Sequence, residues 1–391
     1  MREEVSWGKL PFDLQEQYYV KAEEEAKAIG ERIAKNIEEI KKLAPIIKEY
    51  QRPFRPSKKL DYVVAAVDGS NTPIPISKLG IGAALYAAGF ILFDSRGVCE
   101  ERYFANILTK RTGAQEESVK RTLYFKMVLV ERLAALEALK KAKVVLIDGS
   151  FYSFLYAAIR NTTPLDEVDK ELVNQIADST KKLVESNRVI GVIKRSHTRA
   201  IGGKVYIEIN QETETINMLD KYILAQILDP NHILKYADLF KKAGAFRTYS
   251  YVSYLASKGR VNPGNVLKEA EERVYRPFVD KKMPNSVLES LDTYKKLDRM
   301  MVKTSNESPV CEFEYSNDAE EVLQGLLNVE NLFNPATGLP IYIDVMDQSV
   351  SLPREFGRDF SKEIEARTLE KIEDQNAVKA FFLPMNPQKE F

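Results

Sequence analysis

Two stretches, VVAAVDGS at residues 63–70 and KVVLIDGS at residues 143–150, decide the fold of this chain. Each is an apolar run that ends in Asp-Gly-Ser, which predicts a buried strand that stops at a turn. A carboxylate at the end of a buried strand faces the crevice beyond the sheet, where α/β proteins bind ligands. Asp68 and Asp148 are therefore candidate site residues. The alternative is that each Asp-Gly only forms a turn and caps the next segment.

The residues between these stretches predict two further strands and a helix. The strands are IGAALYAAGFILFD at 81–94 and VCEERYFANIL at 98–108, joined by a turn at Arg96-Gly97. Such short connections favour an antiparallel meander. A long helix is predicted over roughly 114–142. The expected core is therefore strand, strand, strand, helix, strand.

The rest of the chain predicts elements around this core. An amphipathic helix over 13–50 should kink or end at Pro45, because proline lacks the backbone N–H. We expect a linker at 51–59, helices at 165–187 and 318–332, strands at 188–196 and 308–315, a loop at Gly202-Gly203 and a charged helix in the tail. Residues 214–300 give no clear prediction.

Composition excludes several functional classes. The chain has 57 basic and 57 acidic residues, which argues against nucleic-acid binding by bulk charge. Cys99 and Cys311 are its two cysteines, too few for a disulfide framework or a thiolate zinc site, and a reducing cytosol is expected. With His197 and His232 as the two histidines, a histidine-rich zinc hydrolase is excluded. Any metal should bind carboxylates, which favour magnesium or manganese.

Two features predict a cytoplasmic protein with no membrane contact. The N-terminal MREEVSWGKL lacks the apolar core of a signal peptide. The longest apolar stretch, 81–93, is too short to span a bilayer.

Glu131 is the sharpest single signal in the sequence. Its helical neighbours, three and four residues away, are Met127, Val128, Ala134 and Ala135, so it should face the core. A buried carboxylate is costly unless it is paired, protonated or bound to a metal. The alternative to a metal role is a buried ion pair with a distant Arg or Lys.

Asp68, Glu131 and Asp148 together suggest the layout of an RNase H-like metal site. In such sites clustered carboxylates bind two divalent ions roughly 4 Å apart, one of which activates water while the other stabilises the leaving oxygen.

The order of motifs resembles the NurA family, the nucleases that partner the HerA translocase. The motifs are VAAVDGSNTPI, the helical Glu131, and VVLIDGSF with Asp148 placed 17 residues after Glu131, followed by VIGVIKRS, SPVCEFEY and GLPIYIDVMDQSVSL. The resemblance covers roughly residues 60–355.

The resemblance implies an α/β fold with an RNase H-like, Piwi-like mixed sheet flanked by helices. It implies an N-terminal helical region and linker at 1–59, a nuclease domain at 60–355 and a C-terminal helical tail at 356–391. The family's metal-binding acids match Asp68, Glu131 and Asp148.

The implied activity is cleavage of DNA with Mn²⁺, or Mg²⁺ as the alternative, by two ions per site. As in the family, we expect a 5′ to 3′ exonuclease and single-strand endonuclease that acts on single-stranded DNA and duplex ends in end resection. The expected partners are a HerA-type hexameric ATPase and a second copy of the chain. The isoleucine face of the helix at 13–50 and exposed apolar positions at 318–332 also favour a homodimer.

The sequence departs from the archaeal family pattern near its C-terminus. That pattern has a Tyr and, eight residues later, a His, at positions that correspond here to Leu339 and Asp347. Asp347 can replace His as a metal ligand but not as a proton shuttle near neutral pH. Asp344 is the alternative ligand, and Tyr342 could take the Tyr role. Otherwise Asp347 only caps the following segment.

Basic residues follow the strand VIGVIK. Lys194 ends it and Arg195 and Arg199 lie beyond, which suits contact with DNA phosphates near a carboxylate metal site. The alternative is an ordinary exposed basic loop, in which His197 should also be exposed.

Two other functional classes remain open at this point. An ATP-binding protein of the actin or sugar-kinase type also places Asp-Gly turns after strands, but we find no second Gly-rich adenosine site and no use for Glu131. A nuclease-like adaptor without activity is compatible with Leu339 and Asp347. Nucleotide binding would identify the first, and absent metal binding the second.

Overall fold

The computed structural model describes residues 8, 10–72, 76–111, 116–160, 164–209, 214–259, 263–280, 283–353 and 355–385. Its strands are β1 (Gln51–Pro53), β2 (Val64–Asn71), β3 (Ile76–Ser77), β4 (Ile81–Asp94), β5 (Gly97–Arg111), β6 (Val144–Asp148), β7 (Val189–Ile193), β8 (His232–Lys235), β9 (Leu297–Lys303) and β10 (Cys311–Ser316).

The helices lie between and after these strands. They are α1 (Phe12–Lys48), α2 (Glu116–Ala138), α3 (Ser153–Arg160), α4 (Glu167–Glu185), α5 (Ala200–Ile209), α6 (Asp220–Ile227), α7 (Tyr236–Phe240), α8 (Phe246–Ala256), α9 (Pro263–Arg273), α10 (Arg276–Asp280), α11 (Asn285–Lys295), α12 (Glu320–Leu327), α13 (Ile341–Val350), α14 (Phe356–Leu369) and α15 (Gln375–Phe381). Short 3₁₀ helices occupy Glu214–Asn217 and Asn317–Ala319.

The strands form one mixed sheet in the order β1-β8-β9-β10-β7-β6-β2-β4-β3, with β5 on the outer side of β4. β2, β4 and β5 make the expected antiparallel meander. β6 then joins β2 in parallel, and β7 joins β6 in parallel. The five strands β5-β4-β2-β6-β7 have the RNase H-like order, so the predicted fold class is confirmed.

The apolar runs of the central strands are explained by burial on both faces of the sheet. Alternate residues of β2 point to opposite sides: Ala65 and Val67 pack with α2, α3 and α4, while Val64 and Ala66 pack with α12 and α13. A strand covered on both faces has no solvent-facing position, so its sequence does not alternate.

A third core lies at the far half of the sheet. It joins β8 and β9 to α5, to the end of α1, and to helices α6, α7 and α8, which come from the stretch 214–300 that the sequence left unassigned. Only Ile40, Leu43 and Ile47 of the 37-residue α1 are buried. Its first two thirds are exposed, including Ile29 and Ile33 at 41% and 44%.

The prediction that β2 stops at Asp68 is wrong. The strand continues to Asn71, because its antiparallel neighbour β4 pairs with it as far as Tyr86. The prediction holds for β6, which ends at Asp148.

The expected loop at Gly202-Gly203 is instead part of α5. The glycines serve close packing: a Cβ on Gly203 would lie 1.9 Å from the carbonyl oxygen of Tyr249 in α8, and one on Gly202 would lie 2.3 Å from that of Thr215. Glycine here permits contact between backbones instead of a turn.

Three other expectations need adjustment. Pro45 lies inside α1, which continues to Lys48. Part of the expected linker, Gln51–Pro53, forms β1 and pairs with β8. The helix expected over 318–332 ends at Leu327, and its apolar side chains face the core, so they supply no dimer surface.

The C-terminal helices return to the end of the sheet that contains β3. After α15, the amides of Leu79 and Gly80 donate hydrogen bonds to the carbonyls of Leu383 and Phe381. The three-part domain division stays a prediction. No helix in the described ranges is long and apolar enough to cross a membrane.

Candidate metal centre

Two neighbouring strands bring the first two carboxylates together. β2 and β6 are parallel and in register, with Val67 opposite Ile147, so the residues that follow, Asp68 and Asp148, lie side by side. Helix α13 crosses above this point and contributes Asp347. One carboxylate oxygen from each of the three residues lies within 4.8 Å of the other two.

The three carboxylates differ in exposure. Asp68 is buried, the Asp148 side chain is 17% exposed and that of Asp347 is 57% exposed. Their ligand atoms are all oxygens, the donor set that Mg²⁺ and Mn²⁺ prefer. The donor chemistry thus fits a hard divalent cation, and the exposed Asp347 leaves it a route of entry.

Lys194, which follows β7, lies at the same point. Its ammonium group is 2.8 Å from a carboxylate oxygen of Asp148 and 2.9 Å from one of Asp347. These two acids raise the pKa of Lys194 although its burial acts to lower it. Lys194 therefore remains charged and offsets part of the negative charge of the site.

Asp68 has the most perturbed electrostatics of the cluster. Burial, and then the nearby charges of Asp148 and Glu131, raise its pKa to about 9. Burial is also the largest cause of the raised pKa of Asp148. Clustered carboxylates without a compensating cation hold protons. Such clustering in a crevice marks a candidate functional site.

Glu131 is buried, as predicted, but its partner is not distant. It forms an ion pair with Arg132, the next residue of α2. Burial raises the pKa of Glu131 to about 7 even though Arg132 lowers it. Glu131 is not one of the three converging acids, yet it lies close by: a Cβ on Gly69 would be 3.3 Å from its Oε2.

The structure distinguishes Asp344 from Asp347, the two candidates for a metal ligand near the C-terminus. Asp344 accepts hydrogen bonds from Asn334 at 2.7 Å and Thr337 at 2.6 Å, outside the acid cluster. Asp347 lies within α13, so it does not cap the next segment. Leu339 and Tyr342 pack against the core, where the Tyr342 ring lies 4.7 Å from that of Phe93.

The other basic residues lie just beyond Lys194. Arg195 is exposed and Arg199 is partly buried. His197 is exposed, as expected.

Two buried residues near the site were missed by sequence reasoning. Arg132 has a buried guanidinium that the predicted burial of Glu131 could have suggested. Glu314 of β10 is fully buried, although the alternating CEFEYS suggests a solvated face.

The chain is similar to several solved structures over most of its length. The crystal structure of the NurA nuclease from Sulfolobus solfataricus matches with a TM-score of 0.56 and 12% identity, covering 90% of this chain and 98% of that chain. A crystal structure of NurA bound to dAMP and manganese matches at 0.45 and 12%, covering 90% and 98%. That of human ENDOV matches at 0.33 and 11%, covering 83% and 99%. No curated protein matches the sequence.

The fold agrees with the first of these structures, and the sequence adds independent evidence. The NurA domain matches residues 62–352, which contain all the acids described above. This chain therefore belongs to the NurA family.

Proposed function

We propose that this chain, a metal-dependent nuclease of the NurA family, cleaves DNA at the Asp68, Asp148 and Asp347 cluster. The convergence of these three carboxylates from β2, β6 and α13 is the observation that supports the proposal best. Two strands and one helix hold the cluster, so its geometry does not depend on a flexible loop.

The three aspartates would hold Mn²⁺, or Mg²⁺, and we propose two ions per site. Bound ions supply an activated water and stabilise charge on the leaving oxygen. In this site Asp68 and Asp148 fix the position of the cations between two strands. Asp347 adds a ligand from the exposed side, where the scissile phosphate must approach.

We assign Glu131 as the fourth acid of the site. Its raised pKa and its proximity to Gly69, the residue after Asp68, support this assignment. Arg132 holds it in position in the absence of a cation. We propose that Glu131 acts both as a ligand and in proton transfer, and that Glu131→Gln lowers cleavage more than it lowers DNA binding.

Lys194, Arg195 and Arg199 would contact the DNA backbone. Lys194 now balances the charge of Asp148 and Asp347; once a divalent cation does so, its ammonium group is available to a phosphate. Arg195, which is exposed, and Arg199, which is partly buried, follow Lys194 in the chain and would add contacts to the DNA backbone.

The biological setting that we propose follows the family: 5′ to 3′ and single-strand cleavage during end resection, with a HerA-type hexameric ATPase, in the cytoplasm. A homodimer is supported by the exposed part of α1, which carries Phe12, Tyr19, Val20, Ile29 and Ile33 on its surface. Light scattering at micromolar concentration should give the mass of two chains.

The decisive experiment is a nuclease assay on single-stranded and blunt duplex DNA with Mn²⁺, Mg²⁺ or EDTA. We expect cleavage with Mn²⁺ that EDTA and Asp68→Ala both abolish. Cleavage that persists in Asp68→Ala would contradict the proposed site. Mn²⁺ binding without cleavage, or the absence of both, would instead favour the inactive adaptor.

A further inference from the structure

The turn that follows Asp148, called the Asp148 turn below, has an unusual backbone. Gly149 has a φ of +100°, a conformation that L side chains rarely adopt, and its amide donates a 2.7 Å hydrogen bond to the carbonyl of Val192 in β7. The chain leaves the sheet here, so β-pairing alone does not fix the next residues, Ser150 and Phe151. Their position depends on side chains of α2 and β10.

Glu314 contacts this turn from β10. Its Oε1 atom accepts two hydrogen bonds, one from the Ser150 hydroxyl at 2.7 Å and one from the Phe151 amide at 2.9 Å. Glu314 has no exposed surface. The bond from Phe151 is buried and that from Ser150 is partly buried, and a charged acceptor binds strongly in such surroundings.

Arg132 contacts the same turn through the backbone carbonyl groups of the turn. Its guanidinium donates to the carbonyl oxygens of Ser150 at 3.4 Å and Phe151 at 3.3 Å. The turn is thus bonded to α2 through its acceptors and to β10 through its donors. Displacement in either direction breaks buried hydrogen bonds.

The charge of Glu314 is maintained by two arginines. Arg299 donates to its second oxygen at 3.0 Å and 3.1 Å, and Arg247 lies 3.6 Å from that oxygen. Burial acts to raise the pKa of Glu314, but these arginines outweigh it and the pKa is lowered. Glu314 therefore acts only as an acceptor at neutral pH.

Gly191 of β7 makes room for this arrangement. It pairs with Glu314 across the sheet, and a Cβ at position 191 would lie 2.7 Å from the carbonyl oxygen of Gly149. The lack of a side chain lets the turn settle directly onto the strand.

We propose that Glu314 is a positioning residue that holds the Asp148 turn in the geometry required for metal binding. The inference rests on the proposed function of the site. Glu314 is not one of the three converging acids; it would act on Asp148 through Ser150 and Phe151, two and three residues further along the chain. Groups that orient metal ligands in this way typically change metal affinity by roughly 10- to 100-fold when mutated.

Glu312 provides a matched control on the same strand. Like Glu314 it is fully buried and forms an ion pair with Arg299. It also pairs with Lys221, at 3.9 Å. Within the described part of the chain, the glutamate that accepts hydrogen bonds from Ser150 and Phe151 is Glu314 and not Glu312. Glu312→Gln and Glu314→Gln therefore remove equivalent buried charges, but only the second alters the support of Asp148.

The test compares Mn²⁺ affinity by isothermal titration calorimetry in wild type, Glu314→Gln and Glu312→Gln, with unfolding temperatures measured in EDTA. We expect Glu314→Gln to weaken Mn²⁺ binding by roughly 10-fold or more, whereas Glu312→Gln changes it much less at a similar loss of stability. Equal affinities in the two variants would overturn the inference. A wild-type protein that binds no Mn²⁺ would overturn the proposed function as well.

A milder pair of variants decides the matter if Glu314→Gln does not fold. Ser150→Ala removes one hydrogen bond to Glu314 and leaves every charge in place, while Ser150→Thr retains the hydroxyl. Weaker Mn²⁺ binding in the alanine variant, restored by threonine, would support the inference. Unchanged binding in Ser150→Ala would overturn it.

Discussion

The two Asp-Gly-Ser segments have the same sequence but different structures. At Asp68 the segment remains inside β2, since the antiparallel strand β4 continues to pair with it. At Asp148 the strand ends and Gly149 turns the chain with a φ of +100°. Identical tripeptides thus supply one ligand from a strand interior and one from the last residue of a strand, and the neighbouring strands decide which.

The hydroxyl groups of the two segments show the same difference. Ser70 accepts a hydrogen bond from the amide of Leu352, which follows α13, whereas Ser150 donates to the buried Glu314. The first segment binds the helix that carries Asp347, and the second binds the sheet beneath. Each aspartate is therefore supported by a different part of the molecule.

The largest effect should be shared by both segments. Asp68→Ala and Asp148→Ala should each reduce Mn²⁺-dependent cleavage below detection while the fold is retained, because both carboxylates face the same cation. Cleavage rates and circular dichroism spectra will measure this. Substantial activity in either variant would show that the two segments do not serve one site.

Asp347, the exposed third acid, should have a strong but smaller effect. We expect Asp347→Ala to weaken Mn²⁺ binding and reduce cleavage, and Asp347→His to keep partial activity with a preference for Mn²⁺ over Mg²⁺. Titration with each metal, followed by cleavage assays, tests both. Nearly full activity in Asp347→Asn would remove Asp347 from the ligand set.

Alanine substitutions at Gly69 and Gly149 should lower the free energy of unfolding by different amounts. Gly149→Ala places a side chain at positive φ, which costs about 1–2 kcal/mol of the free energy of unfolding. Gly69→Ala needs no such conformation, and its Cβ would meet side-chain atoms, Cγ of Met127 at 3.1 Å and Oε2 of Glu131 at 3.3 Å, so its loss should be smaller. Urea unfolding measures both, and equal losses would contradict the difference in backbone structure.

The last effect concerns the protein without metal. Asp68 has a pKa of about 9 in the fold against an ordinary value of 3.8, so the folded protein retains a proton that the unfolded chain loses. Its contribution to stability is fully present below the unfolded pKa and decreases as pH rises toward 9. Asp68→Asn should therefore raise the unfolding temperature in EDTA, by more at pH 8.5 than at pH 5.

Asp148→Asn supplies the comparison for this effect. Lys194 already pairs with Asp148, so removal of that charge should give a smaller gain than Asp68→Asn. A larger gain in Asp148→Asn would mean that Lys194 does not compensate Asp148 in solution.

The sequence predicted the central sheet well, for a physical reason. β2, β4 and β6 are apolar runs bounded by turn residues, and the order of elements leaves few topologies open. Asp68, Asp148 and the burial of Glu131 follow from position within these elements. The convergence of Asp347 came from the family resemblance, because the segment that became α13 had no predicted structure.

What could not be predicted depended on the unassigned stretch between 214 and 300. Its helices supply Lys221 and Arg247, which cover one face of β10, so Glu312 and Glu314 are buried where alternation predicts exposure. Arg299, from the same stretch, pairs with both. A strand's pattern identifies its faces, but the layer that covers each face comes from residues far away in sequence.

The closure of the sheet edge by the C-terminus has a consequence for folding during synthesis. The amide of Met385 bonds to the carbonyl of Ser77, and Lys78 forms a β-bridge with Pro384, across some 300 residues of chain. The segment from Ser77 to Gly80 therefore lacks these backbone partners until residues 381–385 have been synthesised. Such an edge is a site for pairing with other chains, so truncation before α15 should make nascent and refolding protein more prone to aggregation.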